Sequence, residues 1–345
     1  MSSKSSLVET KESPTPSSSM GGSEGGINLK YLSLIVLTFQ NATLILSIRY
    51  TRTLPGDMYL ATTAVVLAEL FKMLACFAVI LREKGSVSGL IEHVHYYTVI
   101  QWKDAVKISV PAILYVIQNN LQYIAISNLE AAVFQVTYQL KIMTTAIFSV
   151  FLLRKELIKT QWIALCLLFF GVSMVQLSQN DTKSSKTADV EQNPMLGLIA
   201  VLLSCCSSGF AGVYFEKLLK GSDISLWMRN IHLAGYGVLV GLFGVYWNDG
   251  ETVSEKGFLH GYNGWVWWVV LMQAFGGLLV AVVVKYADNI LKGFATSLAI
   301  IVSCVFSVFI WGFVITLQFA IGTALVLGAV YMYSLPKPQT KILPA

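Results

Sequence analysis

The sequence predicts an all-α membrane protein with ten transmembrane helices arranged as two inverted five-helix repeats. Three observations predict it. Hydrophobic residues make up 55% of the 345-residue chain and charged residues only 12%, with a mean hydropathy of +0.65. A soluble domain carries about 25% charged residues, so this chain has too little polar surface to face water on all sides. Ten windows approach the roughly 20 mostly apolar residues that a helix needs to cross the hydrocarbon. Two of these windows, five spans apart, contain the same Leu-Lys pair: Leu140-Lys141 and Leu291-Lys292.

The elements follow in order. Residues 1–29 are rich in Ser, Gly, Pro and Thr and read as a disordered cytosolic tail. No apolar run follows the start closely enough for a cleavable signal, so the first span is expected to stay as an anchor. The spans lie near 31–48, 58–81, 104–126, 129–153, 160–178, 196–217, 226–247, 264–284, 290–312 and 314–335. Only the SNLE tetrapeptide at Ser127–Glu130 separates the third from the fourth. The first repeat is expected over 30–178, a lumenal loop over 179–195, the second repeat over 196–336, and a cytosolic tail over 337–345.

Charge sets the orientation. With the N-terminus in the cytosol, the outside segments hold Arg49, Arg52, Lys183, Lys186 and Lys256. The inside segments hold every other Lys and Arg except Lys72 and Lys141, which fall within spans. That asymmetry is the positive-inside pattern, and ten spans return the C-terminus to the cytosol. The net charge of +5 is therefore a loop signature and not a nucleic-acid footprint. Asn180-Asp181-Thr182 is a glycosylation sequon in the predicted lumenal loop, whereas Asn41-Ala42-Thr43 lies in a span and is inaccessible. The five cysteines fall inside apolar runs without ligand spacing and read as structural thiols.

The halves rhyme. YQLKIMTTAIFSVFLL in the fourth span resembles NILKGFATSLAIIVSCVF in the ninth, and the next spans also correspond. Five spans per half give the halves opposite orientations. Inverted repeats of this kind hold substrate near the midplane between them.

Ionisable groups within spans are costly and usually mark a site. Glu69 and Lys72 share a helix face, either as a neutralising ion pair or as a substrate contact. Gln118, Asn119 and Asn120 interrupt the third span, with Tyr115 one turn before Asn119. An aromatic ring beside amides suits a nucleobase, and interhelical hydrogen bonding is the other reading. Lys141 has no carboxylate within a helical turn, although Gln135, Tyr138 and Gln139 are close. Lys292 has Asp288 four residues before it, so pairing within the helix stands beside a role in binding phosphate. Gly209 and Gly212 allow either close helix packing or close ligand approach, and Ser207, Ser208 and Asn230 add polar groups.

Several classes are excluded. No GxxxxGK[ST] loop is present, nor an HExxH motif or paired catalytic carboxylates. No cofactor, metal or catalytic residue is expected, and His93 and His95 read as a surface pair.

Three long motifs carry a resemblance: QNNLQYIAISNLEAAVFQVTYQLK (Gln118–Lys141), SSGFAGVYFEKLLKGSDISLWMRNI (Ser207–Ile231) and VVVKYADNILKGFATSL (Val282–Leu298). Through them the chain resembles the Golgi nucleotide-sugar transporters, in the branch of the UDP-galactose, UDP-N-acetylglucosamine and CMP-sialic acid carriers. QNATLILSIRYTRTLPGD (Gln40–Asp57) and LGAVYMYSLP (Leu327–Pro336) look most like the UDP-galactose carriers. CMP-sialic acid carriers place Tyr before QVTYQLK, where Phe134 stands here.

The resemblance implies the drug/metabolite-transporter fold in the Golgi membrane. It implies exchange of cytosolic UDP-galactose for lumenal UMP, with UDP-N-acetylglucosamine and UDP-N-acetylgalactosamine as alternative cargoes. It leaves room for a homo-oligomer or association with Golgi glycosyltransferases. By resemblance, Asn119, Lys141, Ser208, Gly212, Asn230 and Lys292 fall on nucleotide-contacting positions. Tyr115, Gln118 and Tyr138 join them from helix face and chemistry.

Overall fold

The computed structural model describes residues 22–129, 131–180, 193–311 and 315–335. Its described residues form helices and connecting turns. These are α1 (Gly22–Thr53), α2 (Ala61–Lys84), α3 (Val87–His95), α4 (Trp102–Lys107), α5 (Ser109–Asn128), α6 (Ala131–Tyr138) and α7 (Lys141–Leu153). Then come α8 (Lys159–Asn180), α9 (Pro194–Lys220), α10 (Leu226–Lys256), α11 (Gly264–Tyr286), α12 (Asn289–Trp311) and α13 (Leu317–Ser334). A bilayer offers no hydrogen bonds to backbone, so a chain this apolar satisfies its N–H and C=O groups within helices.

Among the described residues, eight helices are long and apolar enough to cross a membrane. The expected third and seventh spans, α5 and α10, are not among them. The reason is compositional. Gln118, Asn119, Asn120 and Gln122 interrupt α5, and Arg229, Asn230 and His232 crowd the start of α10.

Three further differences from the expected elements have local causes. The first helix begins at Gly22, inside the expected tail. The connection between the second and third spans contains the helix α3, whose Leu90 and Val94 pack against Cys76, Ile80 and Met228. A π-helical turn, Tyr96–Ile100, follows it. The fourth span is broken. Gln139 N–H and Leu140 N–H donate three residues back, to Val136 and Thr137, at 3.1 and 3.0 Å. That tight turn ends α6 and starts α7 at Lys141.

The polarity is inside out relative to a soluble protein. Phe309, Leu317, Tyr246, Trp247 and Phe151 are each about three-quarters exposed or more, while Lys72, Glu216, Arg229 and Asn230 are buried. The main apolar core lies between α7, α8, α12 and α13, where Leu165, Leu168 and Val172 meet Phe294, Val326 and Tyr333. The principal helix pairs are α8 with α13, α5 with α9, α2 with α10, α7 with α9, and α1 with both α11 and α12.

Small residues set the closest crossings, because helix association in lipid depends on packing. A Cβ on Gly171 would meet the Gly322 carbonyl at 2.9 Å, and one on Gly322 would meet the Gly171 carbonyl at 2.8 Å. The α8–α13 pair therefore crosses backbone on backbone. Gly209 plays the same part for α9 against α7, where a Cβ would lie 2.6 Å from Thr144 Oγ1.

We expect Gly322→Ala to destabilise the detergent-solubilised protein by about 1–3 kcal/mol, the usual cost of overpacking. Gly328→Ala, whose Cβ would meet nothing within 4 Å, is expected to leave stability nearly unchanged. Thermal unfolding of the two variants checks this, and equal midpoints would refute the backbone crossing.

Candidate functional site

The break in the fourth span brings the predicted polar residues together. Lys141 is the first residue of α7, and its Nζ rests 4.3 Å from the centre of the Tyr138 ring. Among the described residues Lys141 makes no ion pair. The ring thus gives its ammonium a weak partner, through a cation–π contact. Phe134 stacks parallel to Tyr138, with centroids 5.6 Å apart.

The Tyr138 hydroxyl is an organising point. It accepts hydrogen bonds from Gln118 Nε2 at 3.0 Å and Gln122 Nε2 at 3.1 Å, and Ser208 is a third partner. Residues from α5, α6 and α9 meet there. Gln118 Oε1 is buried without a partner. α9 is fixed against the break by Cys205 Sγ to the Tyr138 carbonyl at 3.4 Å, and by Thr144 Oγ1 to the Cys205 carbonyl at 2.8 Å.

Tyr115 lies on α5, three residues before Gln118. Glu69 and Lys72 are paired at 2.5 Å. Lys292 lies within electrostatic range of Lys141 and of Glu216. Its sequence neighbour Asp288 is engaged elsewhere: Asp288 pairs with Lys155 and caps α12 by accepting from Leu291 N–H at 2.7 Å. Pairing of Lys292 with Asp288 is therefore not what the structure contains.

A cavity of about 410 Å³ opens beside Tyr138 and Lys141. Its wall is mixed: beside Ile45, Phe134, Ile142 and Ile300 it carries Asn41 from α1, Gln139 from the break, Gln176 from α8, and Thr296, Ser297 and Ser303 from α12. Tyr138 and Lys141 are the predicted site residues that line it. Gly212 is not open to this space, because the Asn289 side chain fills the position its Cβ would take. Asn230 is buried in the first turns of α10, donating to the Leu226 carbonyl at 2.9 Å with its Oδ1 unpartnered. The Asn119 side chain, and the Asn180 side chain with the rest of its sequon, lie outside the described residues.

Sequence reasoning did not single out Asn41, Gln176 or the α12 hydroxyls. Asn41 was legible as a polar residue within a span, and Thr296 lies one helical turn beyond Lys292. Gln176 stands near a span end and gave no signal.

A second polar cluster lies at the opposite end of the same helices. Glu216 accepts from Lys220 at 2.8 Å and from Asn289 N–H at 2.9 Å. Lys220 also donates to the Ala287 carbonyl at 2.6 Å. Together with Lys155–Asp288, this ties the α7–α8 turn, the end of α9 and the start of α12 together. Nearby in chain position, Arg229 donates to the Asp104 carbonyl at 3.0 Å and to Ser222 Oγ at 2.9 Å.

The nucleotide-sugar transporter family pattern matches residues 25–334. The chain is 57% identical over 314 residues to the UDP-galactose translocator of Bos taurus, covering 91% of this chain and 79% of that one. It is 50% identical over 317 residues to the UDP-N-acetylglucosamine transporter of Rattus norvegicus, covering 90% and 97%. A solved crystal structure superposes with a TM-score of 0.61 at 12% identity over 90% of this chain and 97% of that one, a likeness of fold alone.

Proposed function

Because this chain belongs to the nucleotide-sugar transporter family, we propose that it carries UDP-galactose into the Golgi lumen in exchange for UMP. It is a multi-pass membrane protein and a carrier, not an enzyme. Higher identity to the UDP-galactose relatives than to the UDP-N-acetylglucosamine relatives favours galactose as the main cargo. UDP-N-acetylglucosamine is the second reading.

The observation that carries this reading is Lys141, a cation at a helix break, facing a partly polar cavity without a carboxylate. Lys292 adds a second cation within electrostatic range. Two ammonium groups that share a low-dielectric space repel each other unless an anion lies between them. A diphosphate answers that need. The cluster of Tyr115, Gln118, Tyr138 and Ser208 then faces the uridine side, with Asn119, Asn230 and the backbone at Gly212 as further nucleotide positions. An empty carrier leaves the two charges unpaired in an occluded site, which is costly. A loaded one offsets them, so exchange is favoured over one-way transport. UDP-galactose and UMP carry similar charge near neutral pH, which keeps the swap close to electroneutral.

The packing supports two inverted repeats of five spans each. Let the helices of one half exchange with those of the other: α1 with α9, α2 with α10, α5 with α11, α6–α7 with α12, and α8 with α13. The pair α5–α9 then becomes α11–α1, and α7–α9 becomes α12–α1, while α2–α10 and α8–α13 map onto themselves. With both termini cytosolic, the cavity residues Ile45, Gln139, Gln176 and Ser303 fall on the lumenal halves of their spans. The cluster of Lys155, Glu216, Lys220 and Asp288 falls at the cytosolic end. The described conformation thus reads as open to the lumen and latched towards the cytosol. Lys155–Asp288 joins the two halves across that latch.

Three outcomes test this. Purified protein in liposomes loaded with UMP should take up labelled UDP-galactose, and uptake should require the trapped UMP. Folded, UMP-binding protein that moves no UDP-sugar would sink the proposal. Lys141→Ala should weaken exchange about 10- to 100-fold, the loss of a charge-assisted contact of roughly 1.5–3 kcal/mol. Wild-type rate and affinity in that variant would remove the phosphate role. Lys155→Ala should loosen the latch and populate the cytosol-open state. By population shift it should lower the half-saturating cytosolic UDP-galactose by at least about threefold, because the change leaves the buried Asp288 carboxylate unpaired in the latched state, while slowing turnover. Slower turnover at unchanged half-saturation would count against a latch.

A further inference from the structure

The proposed nucleotide contacts leave most of the cavity wall unassigned. Tyr115, Gln118, Ser208 and Lys292 do not line the space of about 410 Å³. Asn41, Gln139, Gln176, Thr296, Ser297 and Ser303 do, and their hydrogen-bonding capacity is divided in a regular way.

The α12 side is left with acceptors. Thr296 Oγ1 and Ser297 Oγ both donate to the Gly293 carbonyl at 2.9 Å, and Ser303 Oγ donates to the Ile300 carbonyl at 2.8 Å. A hydroxyl has one proton and two lone pairs, so these three oxygens have spent their donor and can only accept from a ligand. The facing side has donors to spare. Gln139 Nε2 donates to Gln176 Oε1 at 2.6 Å, which fixes the orientation of both amides and leaves Gln176 Nε2. Asn41 Nδ2 is buried with no partner among the described residues.

A surface with acceptors on one side and donors on the other suits a ligand whose polar groups donate and accept at once. Sugar hydroxyls do both. Distance along the helix fits as well. Thr296 follows Lys292 by one turn, about 6 Å at 1.5 Å per residue, close to the reach from a bound phosphate to the ring attached to it. Phe134 also lines the cavity and offers an aromatic face, against which the C–H face of a hexose can pack.

We propose that this cavity is the sugar subsite: Asn41 and Gln176 donate to the hexose hydroxyls, and Thr296, Ser297 and Ser303 accept from them. The proposal rests on the nucleotide-sugar reading and adds where the sugar sits and what discriminates it. Lys141 marks the border. The nucleotide lies on the side of the Tyr138 hydroxyl cluster, and the hexose lies against α1, α8 and α12.

The experiment is exchange by the full chain in liposomes. The half-saturating concentrations of UDP-galactose and UMP are measured for the wild type, Asn41→Ala, Ser297→Ala and Gln176→Ala, with UDP-glucose as competitor. UDP-glucose differs from UDP-galactose only in the configuration of one hydroxyl. The expected result is a rise of about five- to tenfold in the ratio of the UDP-galactose value to the UMP value, from one or two lost hydrogen bonds. The preference for UDP-galactose over UDP-glucose should shrink with it. If both values rise together, or neither moves in any of the three variants, the subsite is elsewhere. Wild-type protein that exchanges UMP while the variants keep full discrimination overturns the subsite alone. Wild-type protein that exchanges neither compound overturns the transport reading as well.

Discussion

A bilayer supplies neither hydrogen bonds nor counter-charges, and the rest of this structure depends on that. Every polar group placed inside must find a partner in the protein or in a cargo. Most have one. Glu69 holds Lys72, Asp288 holds Lys155, Glu216 holds Lys220, and the Tyr138 hydroxyl collects Gln118, Gln122 and Ser208. Among the described residues Lys141 has the face of an aromatic ring and no carboxylate. Lys292 likewise forms no ion pair among the described residues, and two cations without carboxylates are the observation that motivates an anionic cargo.

The break in the fourth span is subject to the same constraint. The tight turn at Gln139–Leu140 lets Tyr138 end one helix and Lys141 begin the next. Ring and ammonium, three residues apart, stay in contact across the turn, and both border the cavity. Broken helices are tolerated in membranes only where protein or a lined cavity covers the exposed backbone. Here α9 does so, with Thr144 and Cys205 bonding across the contact and Gly209 allowing the approach.

The glycines and the charged cluster both tie helices together. Gly171 against Gly322 fixes α8 to α13 at a backbone crossing that cannot open without losing much packing. In the Lys155–Asp288 and Glu216–Lys220 pairs, at helix ends, the lysines are partly exposed while the Asp288 and Glu216 carboxylates are buried.

The sequence by itself determined that the chain is helical and lies in a membrane, and it marked the cations worth noticing. Those are properties of one residue at a time: apolar runs of sufficient length, and a lysine too expensive to leave in hydrocarbon without reason. It also marked Gln118, Tyr138 and Ser208, which the structure joins at one hydroxyl. Only the tertiary structure decided which groups meet. Asp288 turned out to hold Lys155, 133 positions away, and not Lys292 one turn along. Gly212 proved to be the seat of Asn289. The polar part of the cavity wall draws on α1, α8 and α12, and no local pattern links Asn41 to Gln176 or Ser297. The physical reason is that burial cost is set along the chain, residue by residue, whereas a hydrogen bond or an ion pair is a property of two groups that only the folded packing brings within reach.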